Sequence, residues 1–312
     1  MTATMIERGG SVFGRLSTFL YLRPRLVLLL LLVPPLLWLG VIYLGSLFAM
    51  LLQSFFYIDG FTGQIVHEVT LGTFAELFTA SHLGIFLRTT AMAGLVTIAC
   101  VVIAFPIAYY MARFAGPRAK AFFYLGIMLP LWSSYLVRVY AWKLLLAKEG
   151  VITWVFEKLQ LPWLLESILT IPIIGGPSLS AAYIGTFLVF VYIWLPYMIL
   201  PVEAALERVP RSMIEASADL GAHPRATFRN VILPLAIPGV AAGSIFTFSL
   251  TLGDYIIPGI IGNSRPFIGM AVLSYQGTAG NIPLAAAVTV VPILVMAVYL
   301  TLAKRFGAFD AL

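Results

Sequence analysis

The chain has little charge and almost no cysteine. Only 10% of its 312 residues are Asp, Glu, Lys or Arg, 61% are hydrophobic, and the mean hydropathy is +1.00. A soluble domain is about a quarter charged, so this composition reads as an integral membrane protein before any motif is consulted. Cys100 is the single cysteine, which excludes an intrachain disulfide and a thiolate metal cluster. His67, His82 and His223 are scattered, and the serines lack a His/acid set on one side of the membrane, so neither a shared metal site nor catalysis on a substrate is expected. No Gly-Lys dipeptide occurs. Without it there is no phosphate-binding P-loop, and the chain is not itself a P-loop ATPase. Internal repeats, heptad arrays and low-complexity tracts are also missing.

Long apolar runs are abundant. Stretches of roughly 20 residues, enough to cross ~30 Å of hydrocarbon, recur near 26–52, 85–111, 121–142, 180–202, 235–258 and 284–303. They predict an all-α polytopic membrane protein with about six transmembrane helices and one membrane domain, 26–305, between a basic tail, 1–25, and a short tail, 306–312. The first run is about twice the length of a signal-peptide core, which predicts an uncleaved anchor. With the amino terminus in the cytoplasm, thirteen Lys and Arg fall inside, and Arg88, Arg138, Lys143, Lys148, Lys158 and Arg265 fall outside. That bias obeys the positive-inside rule, and an even span count puts both termini in the cytoplasm. The net charge of +6 is therefore topology, not a nucleic-acid surface. Outside, "DGFTG" at 59–63 reads as a turn. The stretch 143–179 is apolar but broken by Pro162, Pro172, Gly175, Gly176 and Pro177. It predicts a short interfacial helix around 150–160 with Trp154 and Trp163 at headgroup depth, a re-entrant segment being the alternative. Pro106, Pro130, Pro196, Pro238 and Pro292 lie within spans, and Gly239 and Gly243 have the spacing of a helix-packing pair.

One charged segment interrupts the apolar pattern. The inside loop 203–230 contains "PRSMIEASADLG", in which Pro210 suits a first helical position and Gly221 a left-handed terminus. About three turns of helix are expected over 211–220. A helix this short is marginal alone and needs a surface to lie against. Glu215 and Asp219 on its polar face disfavour the anionic membrane surface, which leaves its own bundle or a partner protein.

The order Glu215-Ala216-Ser217, three residues, Gly221, nine residues, Val231-x-Leu233-Pro234 resembles the permease signature of ABC importers, Glu-Ala-Ala, three residues, Gly, nine residues, Ile-x-Leu-Pro. Ser217 and Val231 are its departures. The resemblance implies a type I ABC importer permease fold in which this loop is a coupling helix. Arg211, Glu215, Ala216, Ser217, Asp219, Leu220 and Gly221 would then meet a groove of a separate ATP-binding subunit. It further implies no cofactor in this chain, with ATP and Mg in that subunit, present in two copies. A second homologous permease and an extracytoplasmic solute-binding protein would complete the assembly in the bacterial inner membrane. The segments 88–113, 129–150 ("LPLWSSYLVRVYAWKLLLAKEG") and 251–262 ("TLGDYIIPGIIG") are similar to the spermidine/putrescine-type permeases, which implies a polyamine solute.

Asp254 is the only acid well inside an apolar run, and ionisable residues at that depth are functional candidates. With Trp132, Tyr135 and Tyr255 it could attract an ammonium by charge and cation–π contact. Alternatively, Arg138 holds it in an internal pair. Other small solutes (an opine, thiamine, chelated iron) fit the same family. A proton-coupled secondary transporter would be expected to show repeated halves and several intramembrane acids, and a structural scaffold has no use for the spacing from Glu215 to Pro234.

Overall fold

The computed structural model describes residues 19–263 and 265–305. The tail over 1–18 and residues 306–312 lie outside the described residues. The chain divides into two compact units, 1–53 and 54–312.

In the first unit, α1 (Pro24–Gln53) is 30 residues, apolar apart from Arg25, Ser46 and Gln53. A widened π turn at Trp38–Leu44 follows the Pro34–Pro35 pair. None of its residues is buried. A helix apolar on every face calls for lipid or protein around it.

The second unit opens on a hairpin, β1 (Tyr57–Ile58) against β2 (Ile65–Val66), with Tyr57 opposite Val66. Asp59 makes the expected turn: its Oδ1 accepts Phe61 N–H at 3.1 Å and its Oδ2 accepts the Thr62 hydroxyl at 2.9 Å. A short α2 (Gly72–Glu76) leads into α3 (Ala80–Arg113). After it come α4 (Pro117–Trp132), α5 (Tyr135–Leu145), α6 (Val151–Lys158) and α7 (Pro162–Leu169). The long α8 (Tyr183–Glu207) is followed by α9 (Arg211–Asp219) and α10 (Pro224–Gly253). The unit ends with α11 (Ile256–Ile260), α12 (Ile268–Gln276) and α13 (Ile282–Arg305).

Its core is the bundle of α3, α8 and α10. On α3 the buried positions Thr89, Ala93, Val96, Thr97, Cys100, Ala104, Ala108 and Met111 recur every three or four residues, one helical stripe made mostly of small side chains. On α10 the Gly239/Gly243 pair faces α8. A Cβ built on Gly239 would lie 2.4 Å from Ala205 Cβ and 2.5 Å from Pro201 O, and one on Gly243 would lie 2.7 Å from Met198 Sδ. These glycines are there to let two backbones approach, the packing role their spacing implies.

Two expected spans change. The run 121–142 is not one helix, because α4 and α5 meet at 98°. Ser133 ends α4 by donating both its N–H (3.2 Å) and its hydroxyl (2.7 Å) to Pro130 O, a local bond that competes with helix continuation. The span expected at 235–258 starts earlier, at Pro224, and stops at Gly253. A π turn at Phe228–Ile232 precedes Pro234 and absorbs its ring. Among the described residues five helices are long and apolar enough to cross a membrane, and the bent α4–α5 pair, counted as one span, makes six. A helix does form over the stretch around 150–160, as α6, with Trp154 exposed; α7, unforeseen, follows it and exposes Trp163.

The α8–α10 contact gives a direct test. Gly239→Ala should destabilise the detergent-solubilised protein by about 1–3 kcal/mol, the usual cost of overpacking, read as a lowered thermal midpoint. Gly94→Ala, where nothing lies within 4 Å of the added Cβ, should not lower the midpoint and should raise it slightly, alanine being the better helix former.

Candidate functional site

Two sites stand out, one at each end of the bundle. The first is α9 and the corner it hangs from. Pro210 is the residue before the helix (φ −65°, ψ 138°), one position earlier than its expected place. Its ring fixes a φ suited to either position, and its carbonyl accepts Met213 N–H at 3.2 Å. At the other end Gly221 has φ +78°. Gly221 N–H reaches Ala218 O at 2.8 Å and Ala222 N–H reaches Ser217 O at 3.0 Å, the paired bonds of a Schellman terminus. A residue with a Cβ is strained at that φ.

One side of α9 rests on the bundle: Ile214 packs against the core, and the Ser217 hydroxyl lies 3.0 Å from Thr227 Oγ1 on α10. Ser217, a departure from the signature, is thus an anchor. The other side is open. Met213, Ala216 and Leu220, at i, i+3 and i+7, form an exposed apolar stripe, with Leu220 89% exposed. Arg211, Glu215 and Asp219 are exposed beside it. A marginal helix with complete termini and an uncovered apolar stripe is built to be covered.

The corner above α9 was not anticipated. The loop was expected to begin at Glu203, but α8 continues to Glu207, and Glu203 is 2% exposed. Asp254 is therefore not the only acid inside the apolar part of the chain. Tyr124 donates its hydroxyl to Glu203 Oε2 at 2.7 Å, and Lys120 Nζ lies 3.2 Å from Glu203 Oε1 while also pairing with Glu207. Arg113 Nη2 donates to Leu206 O and Val209 O, each at 2.9 Å, so a cation from α3 caps the carbonyl end of α8. The only sequence signal was the Glu203/Glu207 spacing of one helical turn, which places two acids on one face.

The second site surrounds Asp254, which is not inside a helix but at the break between α10 and α11. Its Oδ1 accepts the N–H groups of Ile256 (2.7 Å) and Ile257 (3.2 Å), and Tyr135 donates its hydroxyl to Oδ2. Tyr135 stacks on Trp194 with centroids 5.9 Å apart, and Trp194 meets Tyr197 edge-on at 5.8 Å. A shallow cavity of about 360 Å³ is lined by Tyr135, Trp194, Asp254 and Tyr255 among others. Trp132 is exposed and does not line it. The alternative of an internal Arg138–Asp254 pair is not what forms. Arg138 places its guanidinium 5.9 Å from the Tyr135 ring centroid, and the acid's partner is the tyrosine hydroxyl. Trp194, invisible as a site residue within a long apolar run, is brought in by its place on α8.

Residues 104–308 match the family described as "Binding-protein-dependent transport system inner membrane component". The chain belongs to that family. The permease is 56% identical over 299 residues, 96% of each chain, to the inner membrane ABC transporter permease protein YdcU of Escherichia coli K12. It is 28% identical over 254 residues to the spermidine/putrescine transport system permease protein PotB of Haemophilus influenzae, covering 81% of this chain and 84% of that one. Its fold resembles a chain of the bacterial alginate ABC transporter in complex with an alginate pentasaccharide-bound periplasmic protein. That likeness has a TM-score of 0.68 at 14% identity, over 91% of the permease and 95% of the other chain. The molecule is thus an inner-membrane, multi-pass permease subunit of an ABC importer with the type I fold, and ATP hydrolysis lies in a partner subunit.

The bond between Tyr135 and Asp254 can be weighed by removing its donor. Tyr135→Phe should lower the thermal midpoint in detergent by the equivalent of about 1.5–3 kcal/mol, the usual range for a hydrogen bond to a charged group. Trp132→Phe, off the cavity, should not.

Proposed function

We propose that this permease imports a small cationic solute of the polyamine class and is coupled to ATP through α9. In this reading two ATP-binding subunits, which hold ATP and Mg, cover the exposed stripe of Met213, Ala216 and Leu220. A second homologous permease supplies the other half of the pathway, and an extracytoplasmic solute-binding protein delivers the solute. The observation that carries the coupling is the Schellman-capped, half-anchored α9 with its outer face uncovered. ATP drives such a cycle only if it binds one state of the assembly better than the other. Because α9 is continuous with α8 on one side and α10 on the other, closure of the ATP-binding subunits reaches both core helices.

Support for a polyamine comes from two directions. A relative named for spermidine and putrescine transport aligns with 81% of the chain. Independently, the Asp254 carboxylate borders a cavity walled by Tyr135, Trp194 and Tyr255, faces suited to an ammonium.

Gentle purification of the tagged chain from its native membrane, with partners identified by mass spectrometry, tests the assembly. An ATP-binding subunit and a second permease should co-purify; a chain that purifies alone and supports ATP-independent uptake would be a secondary transporter. In reconstituted complex, Gly221→Asp, which forces a Cβ into a left-handed φ, should leave assembly intact and separate ATP hydrolysis from uptake. Asp254→Asn should weaken labelled putrescine and spermidine uptake about tenfold with assembly unchanged, on the order of the 1.4 kcal/mol that a tenfold change represents. Lost assembly would make the acid structural instead.

A further inference from the structure

The corner formed by Arg113, Lys120, Glu203 and Glu207 touches neither the exposed stripe of α9 nor the cavity beside Asp254. Glu203 is nearly inaccessible, and a buried carboxylate must be paired or hydrogen-bonded. Its Oε2 accepts the Tyr124 hydroxyl, and its Oε1, which accepts no hydrogen bond, is ion-paired with Lys120 at 3.2 Å; both partners come from α4. Lys120 also pairs with Glu207 one turn further along α8. Arg113, the last residue of α3, grips Leu206 O and Val209 O, the second of these lying beyond the end of α8 and two residues before α9. The chain passes from α3 to α4 within three residues, 114–116. The α3–α4 turn and the α8–α9 turn are therefore joined by five polar contacts, two of them ionic.

α4 has a second end. It runs 16 residues, or about 24 Å, from Pro117 to Trp132, breaks at Ser133 and Ser134, and α5 begins with Tyr135 on Asp254. We infer that Lys120 is a positioning residue for energy coupling: it pins the inner end of α4 to the last turns of α8, so that α4 moves with α9 and carries that motion to the Tyr135–Asp254 contact. Breaking the corner in each cycle would leave Glu203 buried without its cation, a costly state. The two turns accordingly travel as one body, and the change of angle falls at the break between α4 and α5.

This rests on the reading of α9 as the contact with an ATP-binding subunit, so Gly221→Asp runs alongside as its control. Complexes purified whole from the native membrane and reconstituted into liposomes would be assayed for ATP hydrolysis and labelled spermidine uptake together. Lys120→Met should assemble normally and hydrolyse ATP, while uptake per ATP falls at least about fivefold, the lower end of an ordinary coupling between sites; Lys120→Arg should restore the ratio. Since Cys100 is buried, a Cys100→Ala background allows Lys120→Cys and Glu207→Cys to be bridged with o-phenylenedimaleimide. The bridged complex should transport better than the same variant capped singly with N-ethylmaleimide. An unchanged ratio in Lys120→Met, or transport abolished by the bridge, overturns the inference while Gly221→Asp still uncouples. Undisturbed uptake in Gly221→Asp overturns the reading of α9 and the inference with it.

Discussion

The structure depends on how closely α8 can be approached. This helix is apolar on nearly every face and buried along most of its length, yet in lipid apolarity alone does not bring helices together. Approach has to come from shape. Gly239 and Gly243 let α10 come within backbone contact of Pro201 and Met198, and the Ala93–Ala108 stripe of α3 closes the other side. Contacts that specific also fix the rotation of α8, and hence where its two ends point. Trp194, in its outer half, meets the cavity beside Asp254, and Glu203 and Glu207, in its inner half, meet Lys120.

Polar groups then decide where helices stop. Hydrocarbon offers no partner for a freed backbone group, so each break in the outer half carries its own donors and acceptors. Thr186 donates to Ile261 O at 2.9 Å, Thr89 accepts Ile268 N–H at 3.0 Å, and Arg88 donates to Pro266 O at 2.7 Å. His82 bridges α3 and α12 through the Tyr275 hydroxyl at 2.7 Å. Thr186, Arg88 and Thr89 thus satisfy backbone groups on either side of the break between α11 and α12. Asp254 belongs to the same set, since two of its bonds hold the start of α11.

What the sequence made legible follows the range of each interaction. Span number, the helix at 211–220 and the left-handed Gly221 are local or periodic properties, written into twenty-residue apolar runs and a Pro/Gly frame. The break at Ser133 was not legible, because a serine at the end of an apolar run continues a helix about as readily as it ends one. Here its hydroxyl takes the Pro130 carbonyl. Glu203 escaped for a different reason: its burial depends on Lys120 and Tyr124, some eighty residues away, and neither carries a mark of that pairing in its own neighbourhood. The Asp254 constellation was half legible. Tyr135 and Tyr255 could be grouped with the acid from hydropathy and chemistry, while Trp194 and the failure of the Arg138 pair needed the helices in place.

Glu203 and Asp254 divide the roles a buried acid can take. Glu203 has a cation of its own, and its charge is spent on holding α4 against α8. Among the described residues Asp254 is met by neutral donors, one phenol and two backbone N–H groups, and the nearby guanidinium of Arg138 is over an aromatic ring instead. Neutral donors stabilise a carboxylate without cancelling its field. On the proposed reading, a cation arriving in the cavity finds an acid whose geometry is already fixed and which no ion pair among the described residues neutralises. At Glu203 the same cation would have to displace Lys120 from a closed corner. That difference, more than depth in the membrane, is the physical ground for proposing the solute's ammonium at Asp254 and the transmission of force at Glu203.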